Sequence, residues 1–281
     1  SFLTDSKPGG VIFFRRNLES VQQIVDLTNG LQKLSPAQPL LIAIDQEGGR
    51  VSRLPAEFTI FPPCGQLGQC NSSELAYSAA ATIAKELRAV GINMNMAPVL
   101  DVNSNPDNPV IGDRAFGAAP ELVGEMGSAT IGGLQDNMVV ACGKHFPGHG
   151  DTATDSHKEL PVVDAGLQRL RDTEFPPFQQ AIRYGVASLM TAHVLYRALD
   201  PEAPATLSSA VIQEFDQMLA QIEARSYRGL IIRSGKPKSF IVGADVFEFQ
   251  KSADSARAAS MARGAQLVFG RLARLPIPTI A

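Results

Sequence analysis

The sequence predicts an α/β protein, a parallel sheet with helical crossovers, and two observations carry that reading. Short apolar runs alternate with stretches of helical periodicity. Polar motifs follow four of the five apolar runs, the arrangement expected at the C-terminal face of a (β/α) barrel. Residues 11–14 open the series as a strand, and residues 20–34 follow as an amphipathic helix with Ser20 as a candidate N-cap. Residues 39–44 form the second strand, and residues 73–90 a second helix with Ser73 as its candidate cap. Strands at 92–97, 138–142 and 187–191 are separated by helices at 119–135 and 167–184. The tail then reads as a helix (208–224), a strand (229–232) and a helix (252–272), with no internal repeat or low-complexity linker.

The stretch from Gly143 to His157 is the most informative of the chain. It gathers three of the four histidines, two aspartates, a lysine and three glycines. The apolar run Met138 to Cys142 leads into it as a buried strand, which the glycines and proline are expected to end. Polar groups crowded just past a parallel strand are where α/β barrels keep their chemistry.

At these residues the sequence resembles a known family. Lys144-His145-Phe146-Pro147-Gly148-His149-Gly150, followed by Asp155-Ser156-His157, is similar to the β-N-acetylglucosaminidase branch of glycoside hydrolase family 3. The resemblance runs from about Gly9 to about Leu207. It includes Ile44-Asp45-Gln46-Glu47-Gly48-Gly49-Arg50-Val51-Ser52-Arg53, Asn95 to Val102, Gly112-Asp113-Arg114-Ala115-Phe116-Gly117 and Met190-Thr191-Ala192-His193. It implies a TIM-type (β/α) barrel, here incomplete, because the family normally opens with a strand upstream of Gly10.

From about Leu207 onward the chain instead resembles the enoyl-CoA hydratase (crotonase) family. Ser234-Gly235-Lys236-Pro237-Lys238-Ser239-Phe240-Ile241-Val242-Gly243-Ala244-Asp245 and Leu275 to Ala281 carry that likeness. The expected organisation is therefore a family-3-like barrel fragment over residues 1–207 and a crotonase-like α-β-α fragment over residues 208–281. The glycosidase family ends its corresponding strand in Ser-Asp-Asp, whose first aspartate is the nucleophile; here Arg233-Ser234-Gly235 follows instead. Oxyanion stabilisation needs convergent donors, and Ala244 alone offers one backbone N–H, so hydratase activity is not expected.

What the first resemblance implies for the site fits the chemistry of the residues. Glycoside hydrolysis needs a proton donor for the leaving oxygen and, in retaining enzymes, a nucleophile on the other face of the sugar. The resemblance points to His157 as the acid/base, with Asp155 as the carboxylate that fixes its tautomer. A local pair that only stabilises a turn is the alternative for Asp155 and His157. Asp45, Arg53, Arg114, Lys144 and His145 are implied as contacts of the N-acetylglucosamine ring, the aspartate accepting from hydroxyls and the cations donating. For Arg53 and Arg114 a surface salt bridge is the alternative. Asp101 and His193 end strands and are expected to support the site from behind.

Composition bounds the remaining classes. A 281-residue chain that is 44% hydrophobic can bury a core, and its net charge of −3 makes no case for nucleic acid or an anionic membrane. No leader or membrane span is visible, so the expectation is a cytoplasmic protein, although the chain reads as truncated at its start. Cys64 and Cys70 are able to pair in principle, but a reduced chain is the simpler account, with Cys142 as a small core residue. No cofactor is expected, and no metal: His145, His149 and His157 lack the i, i+4 spacing of a catalytic zinc site. The expected partner is a small carbohydrate of the muropeptide type. Two functional readings follow: an exo-β-N-acetylglucosaminidase, or an inactive chimera that lacks its nucleophile and binds sugar weakly.

Overall fold

The computed structural model describes residues 8–36, 39–154, 160–208, 230–233 and 279–280. Asp155 and His157, the crotonase-like motif and both tail helices lie outside the described residues. The described chain builds a seven-stranded sheet in the order β1 (Gly10–Phe13), β2 (Leu41–Ile44), β3 (Met94–Asn95), β4 (Val140–Phe146), β6 (Ser188–Thr191), β8 (Leu230–Arg233) and β9 (Thr279–Ile280). Every pairing in it is parallel. β5 (Val162–Val163) and β7 (Leu195–Tyr196) form a separate parallel pair. Strand order follows chain order, so all strand C-termini meet along one rim without a reversal.

Crossover helices α1 (Val21–Lys33), α3 (Ser73–Ala89), α4 (Pro120–Gln135) and α5 (Phe175–Tyr184) lie between successive strands of the sheet. Ser20 caps α1 as expected, its hydroxyl accepting from the Gln23 N–H at 3.3 Å. The cap of α3 is Ser72 rather than Ser73, accepting from the Leu75 N–H at 3.2 Å. Pro120 starts α4, where its missing N–H costs nothing. The helix expected over 167–184 is present within those bounds but carries a π-helical turn: Leu167–Arg169 widens into Leu170–Glu174 before α5. Pro176 and Pro177 account for this, since neither donates and each ring crowds the carbonyl four residues back.

Period-two alternation gives the sheet two apolar faces. Ile42, Ile44 and Ala141 pack with helical residues such as Ile24, Leu87, Ile131 and Phe178 in the main core. Ala43, Met94, Met96, Cys142 and Met190 form a smaller cluster on the opposite face. Cys142 is thus a core residue, as expected. Cys64 and Cys70 are both free thiols, one buried and one exposed, at opposite ends of α2 (Cys64–Cys70). Six residue steps along the helix separate them by about 9 Å, beyond disulfide reach. No helix among the described residues is long and apolar enough to cross a membrane.

Two strand boundaries differ from expectation in ways that matter for the site. β4 does not end at Cys142 but runs through Lys144 and His145 to Phe146, because the segment after β3 keeps pairing with it. Cys142 N donates to Ala97 O, Lys144 N to Pro98 O and Leu100 N to Lys144 O, so partners outlast the apolar run. The strand expected at 229–232 is present one residue later, as β8, with Ser188 opposite Ile231 and Met190 opposite Arg233. Pairing there satisfies backbone groups that β6 would otherwise present at an edge.

Candidate active site

The same alternation that builds the small apolar cluster turns polar toward the C-terminal ends of the strands. Two residues after Ala43 comes Asp45, and two after that Glu47; two residues after Cys142 comes Lys144. Lys144 Nζ lies 2.9 Å from Asp45 Oδ1 and 2.5 Å from Glu47 Oε1, so an ionic layer caps the apolar one. Gln46, between the acids, faces away, its Oε1 accepting from Arg53 N at 2.8 Å and Leu54 N at 3.3 Å. Arg114, in the helical turn Gly112–Arg114, completes the cluster with a two-pronged grip on Glu47: Nε to Oε2 at 2.9 Å and Nη2 to Oε1 at 2.8 Å.

The protonation states follow from burial and neighbours. Burial alone raises the Glu47 carboxyl, but Lys144 and Arg114 outweigh it and hold it down at about 2. Burial works against the Lys144 ammonium, and Asp45 with Glu47 reverses that, so its pKa is raised and the charge is kept. Glu47, Lys144 and Arg114 are therefore charged at neutral pH, and Asp45 is the more exposed of the two acids at 17% side-chain accessibility.

A second unit stands beside the first. Asp101, wholly buried, faces His145 Nδ1 through Oδ2 at 2.7 Å, while its Oδ1 accepts the backbone N–H groups of His145 (3.1 Å) and His149 (2.7 Å). Burial raises the Asp101 carboxyl, but the His145 ring and the backbone donors of the loop more than offset it, holding it at about 2. Burial pushes the His145 imidazole down to about 4, against the pull of Asp101. The ring is thus neutral near pH 7, and because a carboxylate only accepts, Nδ1 carries the proton and Nε2 is left as an acceptor.

The loop beyond β4 is pinned from several sides. Asn108 Nδ2 donates to His149 O at 2.9 Å and Gly150 O at 3.0 Å, and its Oδ1 accepts Val110 N and Ile111 N ahead of the Arg114 turn. One asparagine therefore locks the Arg114 turn to the histidine loop. Gly150 lies against the Val102 backbone, where a Cβ would collide with the carbonyl. His149 is buried, its Nδ1 2.8 Å from Thr152 Oγ1.

Of the expected sugar contacts, Asp45, Lys144, His145 and Arg114 converge on this rim. Arg114 is in a buried ion pair, not the surface salt bridge held as its alternative. Arg53 is half-buried, and its side chain makes no ion pair among the described residues. His193 is a step removed, its Nδ1 2.7 Å from Thr206 Oγ1. Sequence reasoning missed Glu47, the residue joining the two cations; its spacing from Asp45 was the available signal. Among the described residues no cluster of three or more His, Cys, Asp or Glu is arranged to hold a metal ion.

Acid is expected to unfold the protein in two stages. The folded state holds His145 below its ordinary value, so that contribution is complete above about pH 6.5 and is lost as pH falls toward about 4. Glu47 behaves likewise one stage lower, its contribution being lost between the ordinary carboxylate range and about 2. Each is of order 3 kcal/mol. Calorimetric Tm followed downward from neutral pH checks this, and a Tm flat to pH 4 would count against a buried neutral His145.

Comparison with known proteins agrees with this fold. The glycosyl hydrolase family 3 N-terminal domain matches residues 1–231. A beta-hexosaminidase of Nitrosomonas eutropha is 42% identical over 212 residues, covering 73% of this chain and 60% of that protein. One from Hydrogenovibrio crunogenus is 40% identical over 218 residues, covering 75% and 60%. The chain thus spans about 60% of the length of these curated relatives. Among solved structures, a glycoside hydrolase family 3 beta-N-acetylglucosaminidase from Paenibacillus sp. superposes with a TM-score of 0.80 at 40% identity, over 99% of this chain and 50% of that one. NagZ from Neisseria gonorrhoeae, solved with N-trifluoroacetyl-D-glucosamine, gives 0.73 at 31% identity, over 97% and 74%. With its parallel sheet in chain order and its buried cluster on the strand rim, the chain belongs to the family of the glycosyl hydrolase family 3 N-terminal domain.

Proposed function

We propose that the rim cluster is the N-acetylglucosamine subsite of an exo-acting β-N-acetylglucosaminidase that works with retention on cell-wall-derived, muropeptide-type glycosides. The observation that carries this reading is the ionic layer Asp45–Lys144–Glu47–Arg114 beside the neutral His145. An uncharged sugar needs fixed donors and acceptors more than net charge, and this layer supplies both. Lys144 has three N–H bonds and two acidic partners among the described residues, which leaves one donor for a hydroxyl. Asp45 accepts from hydroxyls, and His145 Nε2 accepts from a ring substituent. That a relative was solved with an N-acylated glucosamine supports the sugar class.

In this reading His157 protonates the glycosidic oxygen and later takes a proton from water, with Asp155 fixing its tautomer. The sheet is the wall of an incomplete (β/α) barrel, and residues 208–281 are a crotonase-like fragment that supplies β8 where the family carries its nucleophile strand. A second reading, an inactive chimera with weak sugar binding, is favoured by one observation: no carboxylate directly follows β8, where Arg233 is succeeded by Ser234-Gly235. Both readings share the subsite and differ in turnover. The test is hydrolysis of a chromogenic β-N-acetylglucosaminide by the purified chain, alongside calorimetric titration with N-acetylglucosamine. Binding is expected with turnover reduced by several orders of magnitude, and Lys144→Met is expected to abolish binding. A chain that binds no N-acetylglucosamine would remove the subsite assignment.

A further inference from the structure

Glu174 stands apart from the ionic layer, at the end of the π-helical turn Leu170–Glu174, and its residue surface is fully buried. One oxygen, Oε1, accepts the Ser104 hydroxyl at 3.3 Å and faces Arg169 Nη2 at 3.5 Å. The other, Oε2, is buried with no hydrogen-bond partner among the described residues. The aliphatic part of the side chain fills the space beside Gly148: a Cβ on that glycine would sit 2.8 Å from both Cβ and Cγ of Glu174. Gly148 also has φ +141°, a conformation other residues rarely adopt, so the loop backbone lies directly on this carboxyl's stem. Tyr196 holds the same point from the far side, its hydroxyl donating to Gly148 O at 2.5 Å.

We propose that Glu174 is a positioning residue for the loop 148–152: its protonated carboxyl seats the loop, and its ionisation unseats it. The consequence for catalysis rests on the reading of Asp155 and His157, a few residues further on, as the acid/base pair; the seating itself does not.

The groups that face Glu174 explain why its charge would be disruptive. Arg169 is the only cation beside it among the described residues, and that side chain is 44% exposed, so solvent screens it. Asp151, on the loop itself, adds a like charge. Ser104 donates one hydrogen bond, and Tyr196 has committed its hydroxyl to Gly148. An ionised carboxylate with an orphaned oxygen in a dry site is costly. Burial accordingly raises the Glu174 carboxyl, against the opposing pull of Arg169. Because the folded state favours the neutral form, the seating is complete below the ordinary carboxylate range and is lost as pH rises through the raised value.

Hydrogen exchange of the loop amides 148–152 in the full chain, corrected for intrinsic exchange, reads this directly without sugar binding or turnover. Protection is expected to fall by up to about tenfold per pH unit between the ordinary carboxylate range and the raised value, and to level off above it. Glu174→Gln, which keeps the shape and cannot ionise, should hold the loop protected across the range. Asp151→Asn removes a facing charge that helps raise the carboxyl, so the fall should level off at lower pH and be smaller in total. A parent loop whose protection does not change with pH overturns the proposal, as does a glutamine variant that keeps the parent's pH dependence. If the glutamine variant does not fold, the asparagine variant decides: a fall as large as the parent's that levels off at the same pH refutes the role. A failure of sugar binding would leave all of these results standing, so the two readings fail separately.

Discussion

Ser234→Asp is expected to raise hydrolysis of a chromogenic β-N-acetylglucosaminide by at least about a thousandfold over the parent chain, since removing a nucleophile costs glycosidases and proteases alike several orders of magnitude. The register of the sheet gives the reason for choosing this position. Lys144 on β4 and Arg233 on β8 are both opposite Met190 on β6, so the end of β8 stands in the same row as the lysine of the subsite. Two strand spacings, about 10 Å, separate them, a span comparable to one sugar ring with its substituents. In the proposed reaction the introduced carboxylate attacks the anomeric carbon as the bond to the leaving oxygen breaks, and His157 supplies the proton to that oxygen. Steady-state rates of the two chains, measured at equal loading, decide the matter. A parent chain that already turns over as fast as the aspartate variant would refute the missing-nucleophile argument.

Glu47→Ala is expected to lower stability by about 3–5 kcal/mol, the usual cost of removing one partner of a buried ion pair. Among the described residues Lys144 would keep Asp45 as its one acidic partner, and Arg114 would lose both of its bonds to Glu47 while remaining mostly buried. For a chain of this size the midpoint of thermal unfolding should fall by on the order of 10 °C. Sugar affinity should go with it, because the lysine and arginine lose the fixed positions that pre-organise them. Glu47→Gln keeps the shape and one acceptor and should recover part of the midpoint. A loss below about 1 kcal/mol in the alanine variant would mean that water enters and the cluster is not dry.

The site was legible in the sequence chiefly through the family resemblance, which implied Asp45, Arg114, Lys144 and His145, and all four reach the rim. Asp101 was expected as support and proves to be the group that fixes the tautomer of His145. Glu47 was not singled out because its importance is a matter of direction: only the third dimension shows that it points the same way as Asp45. The end of β4 was misjudged for a related reason. Gly143 and Pro147 are local breaking signals, whereas backbone partners from Ala97 and Pro98 extend the strand, and that pairing is non-local. Helix α2 was invisible because Gly65 and Gly68 lower its propensity, yet Gly68 lets it lie against the Phe116 backbone.

The chain-order sheet also bears on how the molecule is made. Each strand pairs with the one just before it in that sheet, and the longest step between paired residues in the first four strands is 51 residues, from Ala43 to Met94. Contacts of this modest and even separation impose no large loop-closure penalty at any single stage. The sheet is therefore suited to growth by accretion, one strand at a time, as the polypeptide leaves the ribosome. Asp45, Glu47, Asp101, Arg114, Lys144 and His145 all lie within its first 145 residues. Every member of the ionic cluster is therefore present once the first four strands have paired, so the charges proposed to bind sugar also fasten that part of the sheet.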